Sequence, residues 1–303
     1  MSVLITGGTG WIGNLLLAQL DNPLVVSRNA ASAELKTGLP NSQIIECDIG
    51  SEEIPADSLE GRDLTSVVNL VGESIAEGRW TEQKKRRLRE SRVQATQNLV
   101  ASLLKRDSLP ASFISASATG YYGDRGDDVL TEKDPAGTDF LAEICRDWEA
   151  ATQPLSNAGV RVCHLRIGIV LGKGGGALDV MLPPFKFGLG GRLGSGKQWM
   201  SWIHIQDLVN MIQFLIKQSD CHGAFNGTSP QPVQNTEFTK ALGKSLGRPS
   251  LLFVPQTALR IAIGEFANFL FASQRVLPTA FEEAGFAFQF PNIESALADI
   301  IKS

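Results

Sequence analysis

Cysteine, histidine and tyrosine are scarce in this sequence of 303 residues, which contains four, three and two of them. The cysteines form no CxxC pair and have no metal-ligand spacing with histidine. The sequence therefore predicts reduced, buried thiols and no metal site. The cysteines are Cys47, Cys145, Cys163 and Cys221.

An excess of positive charge and long apolar runs are also lacking. The net charge is -4, so we expect no general attraction to nucleic acid or to an anionic membrane. Basic residues cluster near the start of a predicted helix at 81–104, where a solvated helix face is the expected explanation. No apolar run reaches the roughly 18 residues that span a bilayer, and the N-terminal segment lacks a signal-peptide pattern. We expect a cytoplasmic protein with an unidentified small-molecule substrate, and oligomer formation is left open.

A glycine-rich turn dominates the first 20 residues. Residues 3–5 form a short apolar run, and apolar residues then recur at helical spacing from Trp11 onward. Between them, Gly7, Gly10 and Gly13 form a GxxGxxG pattern. In such a turn the glycines allow a tight bend, close approach of a pyrophosphate and close packing of helix on strand. The backbone amides at the start of the helix then face the phosphates. The pattern predicts dinucleotide binding.

Short apolar strands alternate with helices along the first half of the chain. Parallel strands joined by helices require right-handed crossovers, so the sequence predicts an α/β fold with a Rossmann-type doubly wound parallel sheet. Ligands are then expected at the carboxyl ends of the strands. After residues 3–5, the predicted strands are 24–27, 44–48, 66–70, 113–117 and 160–167. A further helix is predicted at 138–156.

The regular alternation of strands and helices ends at about residue 172. Two glycine-rich connections, at 172–176 and 188–196, are predicted to frame a pocket or to serve as simple turns. We predict a Rossmann domain at 1–172 and a smaller C-terminal α/β substrate lobe at 173–303, with 204–227 returning to the Rossmann domain. The short elements predicted there are strands at 199–203, 223–226 and 251–254 and helices at 206–217 and 235–246.

The residues after the second strand indicate which dinucleotide is bound. Many NAD enzymes of this architecture carry an acid there that binds the ribose hydroxyls, whereas an arginine accommodates the 2′-phosphate of NADP. Here the sequence reads Ser27, Arg28, Asn29, which favours NADP. The alternative is that Arg28 is a solvated loop residue. Asp48, at the end of the third predicted strand, is predicted to contact the adenine, or alternatively to cap a helix or stabilise a turn.

Taken together, TGGTGWIG, NLVG, SASATGYYGD and WIHIQDL resemble the extended short-chain dehydrogenase/reductase superfamily. More narrowly, RWTEQKKRRLRESR, PPFKFGLGGRLGSGKQWMSWIHI and AGFAFQFP resemble its YfcH-type branch, the nucleoside-diphosphate-sugar epimerase-like proteins. The resemblance runs along the whole chain. It implies NADP as cofactor, a substrate lobe in the second half and a family-specific C-terminal segment at 250–303.

The resemblance also implies roles for individual residues. Arg28 would bind the 2′-phosphate and Asp48 the adenine, while Ser115 and Ser117 would lie near the nicotinamide and the substrate. The pyrophosphate would lie against Thr6, Gly7, Gly10, Trp11, Ile12 and Gly13. The adenosine ribose and the neighbouring phosphate would be lined by Leu70, Val71 and Gly72.

The catalytic pair of the superfamily is missing. It is a tyrosine with a lysine four residues later, on the helix after the fifth strand, but here that helix reads FLAEICRDWEA. Hydride transfer to a carbonyl needs a proton donor, and a tyrosine needs a nearby cation to serve well. Tyr121 and Tyr122 follow Ser117 closely, so the sequence predicts Ser117 with Tyr122 or Tyr121 as the catalytic group. The alternative places Tyr122 in packing beneath the loop.

Four charged or titratable residues are weaker candidates for substrate binding. Glu73, Arg79 and Lys84 follow the fourth strand and could bind an anionic substrate, or they could be ordinary loop residues. His204 lies between two isoleucines, where a buried structural histidine is the more common case.

Two functions follow from these observations. The first is an NADP-dependent oxidoreductase or epimerase that acts on a carbonyl- or hydroxyl-bearing metabolite, such as a sugar nucleotide. The second is a non-catalytic NADP-binding regulator, for example of cell division, in which the missing tyrosine and lysine reflect a real loss of activity.

Overall fold

The computed structural model describes residues 2–302, which form an α/β structure. Its strands, in chain order, are β1 (Ser2–Thr6), β2 (Leu24–Ser27), β3 (Ile44–Glu46), β4 (Leu64–Asn69), β5 (Ser112–Ala118), β6 (Val129–Leu130), β7 (Arg161–Ile167), β8 (Ile169–Leu171), β9 (Gly191–Leu193), β10 (Trp199–Met200), β11 (Trp202–His204), β12 (Gly223–Gly227), β13 (Val233–Gln234), β14 (Leu252–Val254) and β15 (Arg275–Val276).

The helices surround these strands and alternate with the first of them. They are α1 (Trp11–Leu17), α2 (Ala30–Thr37), α3 (Ala56–Leu59), α4 (Glu82–Glu90), α5 (Val93–Leu104), α6 (Phe140–Ala150), α7 (Gln153–Asn157), α8 (Gly176–Lys186), α9 (Ile205–Lys217), α10 (Asn235–Leu246), α11 (Gln256–Ile263), α12 (Phe266–Phe271), α13 (Thr279–Glu283) and α14 (Ile293–Lys302). Short 3-10 turns lie at Asn41–Gln43 and Thr119–Tyr122.

The central sheet within residues 2–302 has seven parallel strands in the order β12-β7-β5-β4-β1-β2-β3. The order reverses between β1 and β4, and in such sheets ligands bind at that reversal, outside the carboxyl ends of the strands. The predicted fold class, a Rossmann-type doubly wound sheet, is confirmed. α9 and β12 follow the first elements of the C-terminal lobe, yet β12 forms an edge of this sheet.

Both faces of the sheet are buried by helices, which explains its nearly continuous apolar strands. Ile5 on β1 belongs to a core that includes Leu16 of α1 and Leu208 of α9. Its neighbour Leu4 points to the other face and packs in a core with Leu99 of α5. Successive side chains of a strand point to opposite faces. Since helices cover both faces of this sheet, Leu4 and Ile5 are both fully buried.

A third core lies in the C-terminal lobe. Trp202 and Phe238 are fully buried there, and Leu297 of α14 packs with them. Small two-stranded pairings complete the lobe: β8 with β11, β9 with β14, and β10 with β13. None of the helices within residues 2–302 is both long and apolar enough to cross a bilayer.

Two predicted helices are each divided in the structure. The predicted helix at 81–104 is α4 and α5, separated at Ser91 and Arg92. Both residues use their side chains to bind residue 73: Ser91 Oγ accepts from the amide of Glu73, and Arg92 donates to its carbonyl. The predicted helix at 138–156 is α6 and α7, because the chain turns at Ala151 and Thr152.

The glycine-rich connections mainly accommodate large side chains. A Cβ atom on Gly175 would lie 2.4 Å from the Trp11 indole, and one on Gly190 would lie 2.4 Å from the Phe185 ring. One on Gly196, which has a positive φ, would lie 2.1 Å from Thr236 Oγ1. These contacts favour the simpler of the two predicted roles, turns and close packing.

Asp207 anchors the C-terminal segment to the start of α9. Its fully buried carboxylate accepts hydrogen bonds of 2.9 Å from the amides of Gln289 and Phe290. Burial raises the pKa of Asp207, although the two amides oppose this shift. The carboxylate therefore replaces the water that these amides would otherwise bind.

Replacing Asp207 with alanine should lower the free energy of unfolding by about 3 kcal/mol, because two buried amides lose their acceptor. Urea denaturation measures this change. Asp179→Ala is the control, since Asp179 is exposed on α8, and it should change the free energy by less than about 0.5 kcal/mol. Equal effects of the two substitutions would contradict the anchoring role.

Candidate cofactor and substrate cleft

The glycine turn after β1 packs so closely against backbone atoms that a larger residue does not fit at Gly7 or Gly13. A Cβ atom on Gly13 would lie 2.3 Å from the carbonyl oxygen of Gly7, and one on Gly7 would lie 2.6 Å from that of Leu70. Gly7 also has a φ of +73°, which favours glycine. This packing brings α1 onto β1 and points the helix start toward the carboxyl edge of the sheet.

Gly10 differs from its two neighbours in the motif. Its φ is -77°, and a Cβ atom would meet only the carbonyl oxygen of Gly7, at 3.2 Å. Among residues 2–302, and apart from its chain neighbours, Gly10 has no other atom within 4 Å of that position. A side chain there would instead fill the space at the start of α1, where the sequence predicts that a pyrophosphate binds.

An inner cleft of about 210 Å³ lies at the carboxyl edge of the sheet. It brings together the predicted residues Ile12, Leu70, Val71, Gly72 and Ser117. The remaining residues of its lining, which were not predicted, are Ile75, Leu88, Arg92, Ala116, Ala118, Gly120, Leu141, Ile144, Cys145, Trp148, Ile167 and Phe269.

An outer cavity of about 350 Å³ adjoins the inner cleft, and the two share Gly120, Leu141 and Phe269. Aromatic rings and carboxylates dominate its wall. The other residues of its lining are Trp80, Lys85, Asp124, Asp139, Phe140, Glu265, Asn268, Ala272 and Gln274.

Ser117, on β5, lies at the centre of a buried polar network. Its hydroxyl donates a 2.7 Å hydrogen bond to Glu149 Oε1. Arg166 holds the same carboxylate with two bonds of 2.9 Å, from Nε to Oε1 and from Nη2 to Oε2. The side chains of Arg166 and Glu149 are only 5% and 11% exposed. Burial opposes the charge on Arg166, but the Glu149 carboxylate outweighs it and raises the pKa of the guanidinium.

The structure places Tyr122 beneath this network. The residue is fully buried, its hydroxyl donates to Asn226 Oδ1 at 2.7 Å, and it accepts from Arg166 Nη1 at 3.0 Å. Burial raises the pKa of Tyr122 to about 12. This placement matches the packing alternative and does not favour Tyr122 as a proton donor. Tyr121 stacks on Arg166, whose Cζ lies 3.5 Å from the ring centroid, and lines neither the inner cleft nor the outer cavity.

The helix that carries the catalytic pair in related enzymes has no tyrosine or lysine in either plausible register, Phe140 with Ile144 or Leu141 with Cys145. Leu141 and Cys145 lie one turn apart on α6, and both line the inner cleft. Burial raises the pKa of Cys145 to about 12, so its thiol stays protonated. Glu149 follows Cys145 by four residues on the same helix face, and this spacing was the available sequence signal for it.

Several predicted cofactor residues lie beside the cleft without lining it. Thr6 is buried, and its hydroxyl donates to Asn69 Oδ1 at 2.7 Å. The buried Ser115 hydroxyl accepts from Asn69 Nδ2 at 3.3 Å. The Trp11 indole turns away and donates to the carbonyl of Lys173. These three side chains support the framework of the cleft.

At the adenosine end, Arg28 and Asp48 are both exposed. The Arg28 guanidinium has no hydrogen-bond or ion-pair partner within residues 2–302. Asp48 stabilises its own turn, because its carboxylate accepts from the amide of Gly50 and the hydroxyl of Ser51.

The weaker substrate candidates are engaged within the protein. Glu73 binds Lys84 at 2.8 Å and Arg87 at 3.3 Å, and the hydrogen bond from Lys84 is the main cause that lowers the pKa of Glu73. Arg79 donates to the carbonyl of Ile261. His204 is buried outside the cleft, where Nδ1 accepts from the amide of Gln206, and burial lowers its pKa.

The fold and the glycine turn define the chain as a Rossmann-type protein with a cleft at the switch point of its sheet. Residues 3–226 match the NAD dependent epimerase/dehydratase family, and residues 254–300 match a domain of unknown function, DUF1731. The chain therefore belongs to the NAD dependent epimerase/dehydratase family. The predicted resemblance to the epimerase-like branch is confirmed.

Two relatives show how far the similarity extends. The chain is 43% identical over 296 residues to epimerase family protein Mb2239 of Mycobacterium bovis. This alignment covers 97% of this chain and 96% of the relative. It is 39% identical over 306 residues to the chloroplastic SDR39U1 homologue of Arabidopsis thaliana, covering 100% and 87%.

A solved structure resembles the whole chain. The crystal structure of human epimerase family protein SDR39U1 (isoform 2) with NADPH has a TM-score of 0.88 and 32% identity. The match covers 100% of this chain and 99% of the human one. The NADPH in that protein agrees with the prediction of NADP as cofactor.

Gly13→Ala should lower the free energy of unfolding by about 3 kcal/mol, because its new methyl group would collide with backbone atoms that cannot move independently. Gly10→Ala is the matched control in the same turn. It should cost about 1 kcal/mol, the difference between glycine and alanine at a helix N-cap. Denaturant unfolding of both variants measures the difference, and a larger loss for Gly10→Ala would contradict the packing described above.

Proposed function

We propose that this protein is an NADP(H)-dependent oxidoreductase or epimerase that acts on a hydroxyl or carbonyl group of a small metabolite in the inner cleft. The observation that carries this proposal is the Ser117 hydroxyl, which lies in the cleft and is hydrogen-bonded to Glu149. The predicted sugar-nucleotide substrate and cytoplasmic location are part of the proposal.

Three observations support NADP(H) as the cofactor. The human relative was crystallised with NADPH. Gly10 leaves space over the start of α1 for a pyrophosphate. The exposed Arg28 guanidinium has no partner within residues 2–302, so it is free to bind a 2′-phosphate, while Gly7, Gly10 and Gly13 hold the diphosphate.

Bound NADP⁺ would supply the acceptor for a hydride from the substrate carbon. The chain itself must then take the hydroxyl proton. Ser117 has one proton, and it points to Glu149 Oε1, so the lone pairs of Ser117 Oγ are available to a substrate hydroxyl. As Ser117 accepts the substrate proton, it passes its own proton to Glu149.

Arg166 sets the geometry of this transfer. Its two hydrogen bonds fix the plane of the Glu149 carboxylate, and Oε1 therefore stays within 2.7 Å of the serine. In the reducing direction the same atoms move the proton back, from Glu149 through Ser117 to the developing alkoxide. Ser117 and Glu149 would thus do together what the tyrosine does in related enzymes.

A non-catalytic NADP-binding regulator is the second candidate. The observation that favours it is the absence of tyrosine and lysine from α6, whether the pair is read as Phe140 with Ile144 or as Leu141 with Cys145. Both candidates bind the cofactor at the same residues, and only the first requires Ser117 and Glu149.

Arg28→Gln should weaken NADPH binding roughly ten- to a hundred-fold, because a charge-assisted contact to the 2′-phosphate is lost. Binding of NADH, which lacks that phosphate, should stay the same. Calorimetric titration with both nucleotides measures the preference. Arg86→Gln is the control, since Arg86 is an exposed arginine on α4, and equal NADPH affinity of the two variants would contradict the role of Arg28.

Ser117→Ala should lower turnover by about 10²- to 10⁴-fold, the usual contribution of a general acid or base, while NADPH affinity is retained. Glu149→Gln should lower turnover to a similar extent, and it should also lower the free energy of unfolding, because the buried Arg166 guanidinium loses its counter-ion. The assay follows cofactor absorbance with a panel of hydroxyl- and carbonyl-bearing metabolites, including sugar nucleotides. The control is Ser219→Ala, at an exposed serine.

The same assay distinguishes the two candidates. Turnover that depends on Ser117 supports the enzyme. Tight NADPH binding with no turnover of any metabolite supports the regulator. In that case the Ser117→Ala variant should still perform the regulatory role of the protein in cells, whereas the Gly10→Ala variant should not.

A further inference from the structure

We infer that Arg92 binds an anionic group, a phosphate or carboxylate oxygen, in the inner cleft. The inference rests on the proposed function and names the chemistry that the same site recognises. Arg92 lies between α4 and α5 and is the one charged side chain among the residues of the inner cleft.

The guanidinium of Arg92 has only neutral partners. Nη1 donates to the carbonyl of Leu88 at 3.1 Å and lies 3.4 Å from Ser91 Oγ, and Nη2 donates to the carbonyl of Glu73 at 2.8 Å. Within residues 2–302, no carboxylate forms an ion pair with it and Nε donates no hydrogen bond. Its positive charge therefore has no directly bonded counter-ion in a largely apolar cleft.

The nearby acid, Glu73, offsets the charge of Arg92 only in part, because burial still outweighs it. The Glu73 carboxylate binds both Lys84 and Arg87, so this corner of the molecule has three cations and one carboxylate. Burial lowers the pKa of Arg92, which reflects the free energy cost of keeping the charge there. A ligand that carries a negative charge would offset this cost.

Packing fixes the orientation of the guanidinium before any ligand arrives. Its Cζ lies 5.4 Å from the ring centroid of Trp148. A Cβ atom on Gly72 would lie 3.2 Å from Cζ, so a larger residue at this position would crowd the guanidinium. A planar guanidinium held in this way is suited to two parallel hydrogen bonds with a phosphate or a carboxylate.

Two sources could supply such an anion. The first is the pyrophosphate of the dinucleotide, on its nicotinamide side, because the inner cleft that Arg92 lines also contains Ser117, which the resemblance places near the nicotinamide. The second is a carboxylate of the substrate, because Arg92 also shares the inner cleft with Ser117.

The test compares Arg92→Met and Arg92→Lys with Arg86→Met, a matched control on α4. Calorimetry measures the affinity of each protein for NADPH and for 2′,5′-ADP, a fragment that lacks the nicotinamide-side phosphate. Oxalate, titrated into the complex with NADP⁺, is the carboxylate probe. Each titration is repeated at two salt concentrations, since loss of an ionic contact reduces the dependence of binding on salt.

If Arg92 contacts the cofactor, Arg92→Met should bind NADPH roughly ten- to a hundred-fold more weakly, and its affinity for 2′,5′-ADP should be unchanged. If Arg92 instead contacts a substrate carboxylate, Arg92→Met should bind NADPH with unchanged affinity and should lose oxalate binding. Unchanged affinity for both NADPH and oxalate overturns the inference. If the wild-type protein itself binds no NADPH, the proposed function fails, and this result is visible before any variant is examined.

Arg92→Lys keeps the test decisive if Arg92→Met does not fold. Lysine retains the positive charge but presents a single ammonium group, so we expect a smaller loss, roughly three- to ten-fold, in the same ligand. A purely structural Arg92 would instead lower the melting temperature in both variants and leave the ligand affinities and their salt dependence unchanged, which would also overturn the inference.

Discussion

The buried ion pair of Arg166 and Glu149 is the constraint on which the rest of the site depends. Two charges that are 5% and 11% exposed are tolerated because each satisfies the other, and removal of one partner would leave a buried charge with no counter-ion. The pair joins β7 to α6, and through its hydrogen bonds it fixes Ser117 of β5 and Tyr122. Three elements of the cleft are therefore positioned by one interaction.

The network continues from the pair toward the C-terminal part of the chain. Tyr122 donates to Asn226 on β12, and Asn226 donates to the carbonyl of Leu277. The backbone of Asn226 also binds Glu132. Since β12 is an edge of the central sheet, the segment around Leu277 is held to that sheet by polar groups as well as by apolar packing. The buried Tyr122 thus has a structural role, which agrees with the alternative that places it in packing beneath the loop.

The fold could be predicted because its signals are local. An apolar strand, a glycine turn and an amphipathic helix are adjacent in sequence, and the glycine contacts in the structure follow from that order. The polar network could not be predicted in the same way, because Ser117, Glu149 and Arg166 come from separate elements and only the tertiary structure brings them together. Arg92 was missed because it lies at a helix break, while a continuous helix was predicted from an uninterrupted pattern of helix-forming residues.

The charges of the two cavities differ in a way that limits how a ligand is oriented. The inner cleft carries the cation Arg92, whereas the outer cavity is lined by Asp124, Asp139 and Glu265 against a single ammonium, Lys85. Lys85 is already paired with Glu265 at 2.6 Å, so the outer cavity retains negative charge. An elongated ligand with one anionic end is therefore stabilised with that end in the inner cleft and its hydroxyl or amino groups outward, because the opposite orientation would place like charges together.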